Sequence, residues 1–169
     1  MKIKLADLDR TLKYFLTTII SVLTIGVSIG LIYLFTTTNY SAAGTVQRFS
    51  GSQINQNEVA FEIPEYYPKP VSEILVTTHN HILGFSFIFF ILGMIFYFNS
   101  VITGFWKSFL LIEPVISVLI TFGSIWLMRF VDTSFVYLTI VSSTIIYLSF
   151  FIMAATCIFE LRFKKSITA

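Results

Sequence analysis

The chain has 169 residues, of which 56% are hydrophobic and 12% charged, with a formal net charge of +2 at pH 7. A soluble domain carries about a quarter charged residues, so this composition excludes an ordinary water-soluble enzyme, and so small a charge does not indicate a nucleic-acid partner. The single cysteine, Cys157, excludes an intrachain disulfide and paired-cysteine redox chemistry; it reads as a small packing residue.

Taken in chain order, the first element is a basic arm, followed by a predicted span over residues 14–36 within an uncharged stretch from Tyr14 to Gln47. That stretch is too long for the apolar region of a signal peptide, so the span is expected to be retained. A loop over residues 37–75 follows. It is polar and acidic toward its end, with Glu58, Glu62, Glu65 and Glu73 against Arg48 and Lys69. With no disulfide and few apolar residues of its own, it is expected to lie over the mouth of the spans. The second span is placed at 76–98, the third at 108–129 and the fourth at 134–159, with only Glu113 interrupting Ser108–Met128. Each reaches the roughly 20 residues that a helix needs to cross a bilayer. None shows the alternation of a barrel strand, the other structure that crosses lipid with its backbone satisfied. The turn Phe130–Thr133 is so short that spans three and four are antiparallel neighbours. The expected fold is all-α, an integral membrane four-helix bundle forming one domain over residues 1–169.

Orientation follows from the cations. Lys2, Lys4, Arg10, Lys13, Lys107, Arg162, Lys164 and Lys165 fall on one side; Arg48, Lys69 and Arg129 fall on the other. Both termini are therefore expected in the cytoplasm, with the one large loop external. Tyr14, Tyr97 and Trp106 then sit near the inner surface and Tyr33, Trp126 and Tyr137 near the outer one, where amphipathic rings are favoured. Small and hydroxylated residues mark helix–helix seams. Gly26 and Gly30 form one small pair, Thr17, Ser21, Thr24 and Ser28 a neighbouring stripe, and Ser142, Ser149 and Thr156 recur every seven residues.

The two histidines fall together in Val76-Thr77-Thr78-His79-Asn80-His81. If a helix starts after Pro70, then Glu73, Thr77 and His81 share one face and His79 points nearly opposite His81, two residues turning about 200°. If the segment is extended up to Thr78, His79 and His81 become a natural pair for one metal ion. Three uses stay open: bonding at the interface, a metal or haem ligand, and proton handling by a group that titrates near neutral pH. Glu113, before Pro114, reads as an acid at the start of the third span and as the second proton-handling candidate. Arg129 and Asp132 read as an ion pair, converging with Glu73, Thr77 and His81 in an outer polar site.

Leu8-Asp9-Arg10 in the arm, Thr78-His79-Asn80-His81 at the second span, Ile112-Glu113-Pro114 and the stretch from Trp126 to Arg129 together resemble a group of small four-span bacterial inner-membrane proteins of no established activity. The resemblance implies a bacterial inner membrane and the topology above, and no reaction. The sequence has no phosphate-cradling glycine loop, serine triad or zinc-binding histidine–glutamate helix, so catalysis is disfavoured. The leading expectation is an accessory or assembly subunit of a larger membrane complex, partnered by lipid and by other subunits or itself, with no bound cofactor. The alternatives are a metal- or haem-binding redox protein using His79 and His81, and a small proton-coupled transporter or channel.

Overall fold

A computed structural model describes residues 4–52 and 66–164. Glu58, Glu62 and Glu65 of the loop, and Lys2 and Lys165 of the arms, lie outside the described residues. Helices α1 (Arg10–Thr38), α2 (Ala42–Ser50), α3 (Val71–Tyr97), α4 (Gly104–Phe130) and α5 (Val136–Phe163) follow in order, with 3-10 turns at Leu5–Asp7 and Thr133–Phe135. Four of these are long and apolar enough to cross a membrane: α1, α3, α4, and α5 together with the turn before it. The fold is an all-helical, four-helix membrane bundle.

Local chemistry sets the ends of these elements. Asp9 caps α1, its carboxylate accepting from the Leu12 N–H at 3.0 Å. The helix stops where Asn39 turns left-handed (φ 51°), and the Asn39 N–H closes on the Phe35 carbonyl at 2.8 Å. The spans are longer than charge patterning indicates, because a helix continues through the interface until a cap stops it. Thus α1 reaches back to Arg10, and α4 begins at Gly104 rather than at residue 108.

The connection between α1 and α3 is not simply a loop. Ser41 caps α2 by accepting from the Gly44 N–H at 2.9 Å, and Thr45 and Phe49, four residues apart, bury one face of it. Two glycines permit this. A Cβ on Gly44 would collide with the Thr38 carbonyl, and Gly51 has φ +85° with Pro68 2.8 Å from where its Cβ would be. The helix lies across the end of the bundle against α1, α4 and α5. Ser52 donates its N–H to the Tyr66 carbonyl at 2.9 Å and Lys69 its N–H to the Phe49 carbonyl at 3.1 Å, drawing the flanks of residues 53–65 together. The part of the expected loop that precedes residue 53 is thus an amphipathic helix packed on the bundle, which the polar composition concealed.

At the other end, Leu5 and Ala6 are buried under the bundle. The Leu5 N–H donates to the Phe98 carbonyl at 3.2 Å, and the Lys13 ammonium to the Ala6 carbonyl at 2.6 Å. Half of the basic arm is thus packed structure as well as a charge signal. Cation–aromatic pairs mark both ends of the spans. Arg162 sits over Tyr14 (4.7 Å to the centroid) and Lys107 over Tyr97 (5.6 Å) at the termini end, and Arg48 over Tyr33 (5.0 Å) at the α2 end.

The core is built from α3, α4 and α5, with α4 against α5 the most extensive pairing. The short turn between them enforces the antiparallel arrangement expected from Phe130–Thr133. Ser142 and Ser149 of the seven-residue seam are buried there, while Thr156 is only partly so. Helix α1 is peripheral: only 11% of its most apolar window is buried. Thr17, Ser21, Thr24 and Ser28 each donate to the carbonyl four residues back at 2.7–2.8 Å, so this stripe satisfies itself. Gly26 and Gly30 do not serve the internal packing expected of them, since nothing lies within 4 Å of a Cβ built on either.

The contrast between core and lipid face is testable with Phe150, which is 1% exposed and meets Phe89 edge-on with ring centroids 6.4 Å apart. Phe150→Ala is expected to destabilise the bundle by about 2 kcal/mol. That is below the roughly 3–5 kcal/mol of a water-soluble core, because a lipid-solvated reference state removes the water-transfer contribution. Phe159→Ala, on a residue 52% exposed, should change a detergent-unfolding midpoint hardly at all. Equal losses for both would contradict the packing described.

Candidate functional site

Three polar groupings lie along the bundle. At the α2 end, Pro70 (φ −67°) precedes the first turn of α3, its carbonyl accepting from the Glu73 and Ile74 N–H groups at 3.1 and 3.2 Å. The helix therefore runs unbroken through both histidines, which settles the helical alternative for this segment. Glu73, Thr77 and His81 share a face. His81 Nδ1 lies 2.8 Å from the Thr77 carbonyl, and since a carbonyl only accepts, Nδ1 carries the hydrogen. The imidazole packs on Phe122 of α4 at 5.1 Å between centroids and on Phe85 at 6.2 Å. One turn away, the Trp126 Nε1–H donates to Thr78 Oγ1 at 3.0 Å, tying α4 to α3.

The other members of the expected outer site do not converge on this contact. Glu73 pairs with Lys69 at 2.7 Å. Arg129 and Asp132 form no ion pair: Arg129 stacks over Phe130 at 5.1 Å, with its Nε buried and unbonded, and Asp132 turns the other way to accept from the Ser134 N–H at 2.7 Å. The reason is the 3-10 turn at Thr133–Phe135, which needs Asp132 as its cap. His79 is exposed and, by helical geometry, faces away from His81. Among the described residues, no group of three or more histidine, cysteine or acidic side chains gathers at one point.

Within the span, Thr121 Oγ1 donates to Ser142 Oγ at 2.7 Å, and Ser124 Oγ and Thr139 Oγ1 share a hydrogen bond at 2.7 Å. These pairs join α4 to α5 where lipid offers no alternative partner. Glu113 heads the same side of α4 and accepts from Ser117 Oγ, while its second carboxyl oxygen is buried without a partner. It is not at the start of a helix. Because α4 begins at Gly104, Glu113 stands about 13 Å along it, and Pro114 is a buried interior proline that cannot donate to the Leu110 carbonyl.

The third grouping, at the termini end, was not anticipated. Glu160 is fully buried, its carboxylate accepting from the Ser100 N–H and from Ser100 Oγ at 2.6 Å. Lys164 Nζ donates to Ser100 Oγ at 2.8 Å and Lys107 Nζ to the Asn99 carbonyl at 2.7 Å. Asn99, 2% exposed, accepts from the Val101 and Ile102 N–H groups at 2.9 and 3.0 Å and donates to the Thr156 carbonyl at 3.1 Å. A buried carboxylate is tolerable only when hydrogen-bonded in this way, and the network clamps the turn between α3 and α4 onto α5. Glu160 was overlooked because the last uncharged stretch ends at Phe159. The signal was nonetheless present: Ser142, Ile146, Ser149, Met153, Cys157 and Glu160 continue one buried seam at steps of three and four.

Residues 39–168 match a family model described as a transmembrane helical domain. The matched stretch begins one residue past α1 and takes in α2 to α5. No curated protein and no solved structure is detectably similar to the chain.

Two outcomes follow from these sites. Glu160→Ala should leave the half-buried Ser100 donors without these acceptors, costing about 1–3 kcal/mol and speeding amide exchange across residues 99–102. Unaltered exchange there would show that the clamp is dispensable. For Asp132, the hydrogen bonds from the Ser134 side chain and backbone hold the carboxyl below its ordinary range. The stabilisation this gives the turn is complete above the unfolded aspartate value of about 3.9 and lost as pH falls through the depressed folded value. A titration followed at the Ser134 amide should therefore show a midpoint below 3.9, and Asp132→Asn should abolish the transition.

Proposed function

Because the chain belongs to this transmembrane helical domain family, we propose that it serves as a non-enzymatic accessory or assembly subunit of a larger membrane complex. In this reading it sits in a bacterial inner membrane as a single four-span domain, with both termini in the cytoplasm and α2 outside. The observation that carries the proposal is the state of α1. Glycine is a poor helix residue, and among the described residues nothing lies within 4 Å of a Cβ built on Gly26 or Gly30. They stand among exposed Val22, Ile25, Ile29 and Tyr33. Small residues four apart let a second helix approach closely in lipid, so this face suits a transmembrane helix of another subunit or of a second copy. The exposed end of α3, with His79 and the rim around His81, completes the surface available at the outer side.

The test is a double substitution, Gly26→Leu with Gly30→Leu, in protein extracted under mild conditions from its own membrane. Since both positions open onto free space, the thermal transition should stay within about 2 °C of wild type, as for a surface change in a domain of this size. The copurifying partner, or the dimer, should fall at least about tenfold. Recovery of wild-type protein as free monomer alone would sink the proposal.

One observation favours a second reading, a metal or haem bound through the histidines. With Nδ1–H engaged by a backbone carbonyl, His81 presents Nε2 as its acceptor, the arrangement that orients histidine ligands at metal sites. The helical spacing of His79 and His81 means each would require further ligands from elsewhere. An absorbance spectrum and metal analysis of the purified complex, with His81→Ala as control, decide this reading.

A further inference from the structure

Between α3 and α4 the surface is indented by a cavity of about 390 Å³ lined by Ser86, Phe89, Phe90, Gly93, Met94, Tyr97, Leu111 and Val115. This is within the size range of small-molecule clefts, yet it opens laterally from two helices that cross the membrane, so its surroundings are lipid. Its walls are apolar. Gly93 keeps its floor low: a Cβ there would stand in ordinary contact with Leu111 Cδ2 at 3.5 Å, and a longer side chain would extend into the groove.

The dimensions and the charge at one end identify an occupant. From Ser86 to Tyr97 the groove follows α3 for about 16 Å at the helical rise, which is half of a hydrocarbon core about 30 Å thick. It is therefore one leaflet deep. Its mouth is Tyr97, the last residue of α3, at the interface. The Lys107 ammonium, which also donates to the Asn99 carbonyl at 2.7 Å, lies 5.6 Å from the centre of the Tyr97 ring. An apolar slot of leaflet depth that ends beside a cation and an interfacial tyrosine matches a phospholipid carrying a negative headgroup. We infer that the α3–α4 groove holds one acyl chain of an anionic phospholipid from the leaflet nearest the termini, its headgroup beside Lys107 and its chain running past Gly93 to Ser86. The bound lipid fills this indentation, a role separate from partner docking on α1.

The test uses the full chain reconstituted in bilayers of equal phosphatidylglycerol and phosphatidylcholine, then extracted in mild detergent and weighed intact by native mass spectrometry. Wild type is expected to keep one lipid, with phosphatidylglycerol favoured roughly fivefold, the preference one lysine gives at an anionic surface. Gly93→Leu, which fills the floor, should lose the retained lipid. Val115→Trp, at a wall position 41% exposed, should do the same through a different residue, which covers the case in which the Gly93 variant fails to fold. Lys107→Gln should keep a lipid without headgroup preference, and Lys107→Arg should restore the preference. Retention indifferent to headgroup in wild type, or unchanged in a folded groove-filled variant, would overturn the assignment. So would crosslinking of Met94→Cys to a protein helix in place of lipid.

Discussion

Lipid cannot hydrogen-bond, and that constraint organises this molecule. A polar group inside the bilayer must find its partner within the protein, so one that finds it on another helix fixes the two together. Hydroxyl pairs between α4 and α5 lock those helices face to face at Thr121–Ser142 and Ser124–Thr139. The Glu160 carboxylate does the same at the termini end, holding the turn at Asn99 and Ser100 against α5. Without these bonds and the Trp126–Thr78 bond, shape complementarity would be left to choose one packing of α3, α4 and α5 among many, because apolar side chains gain little by leaving lipid for each other.

That view explains the uneven architecture. The helices with polar groups to satisfy across an interface form the core; the helix whose polar groups satisfy themselves does not. Every hydroxyl of the Thr17, Ser21, Thr24 and Ser28 stripe bonds its own backbone, so nothing compels α1 to bind tightly, and it stays at the edge with two glycines facing outward. The family match, which starts directly after α1, coincides with this division between a self-contained core with its α2 cover and a peripheral helix. An assembly function built on α1 and a lipid groove between α3 and α4 occupy different faces and require nothing of each other.

The two ends differ in character. At the α2 end the polar residues are spread out and exposed, each with a local partner: Glu73 with Lys69, Asp132 with Ser134, His81 with the Thr77 carbonyl. At the termini end they are buried and interlinked. A spread-out, exposed rim suits contact with other molecules, whereas the linked network chiefly holds the turn between α3 and α4 against α5. Glu113 stands between these cases, bonded on one oxygen and not on the other, and its cost is the clearest polar imbalance inside the bundle.

The four spans, their helical nature and the antiparallel pairing of the last two were legible in composition alone, because length and apolarity are all that crossing lipid demands. The hydroxyl seam at Ser142 and Ser149 was legible too, from its period. Helix α2 was not, since its burial depends on Gly44 meeting the Thr38 carbonyl, a contact between segments that no local pattern announces. Nor was the partnership of Arg129 and Asp132 decided by their nearness in the chain: the cap of a three-residue turn took the aspartate instead. Glu160 falls one residue past the span drawn at 134–159, and its partner Ser100 stands sixty positions earlier in the chain. Solvent preference is a property of each residue and can be read one position at a time; a hydrogen bond belongs to two residues at once, and only the folded chain says which two.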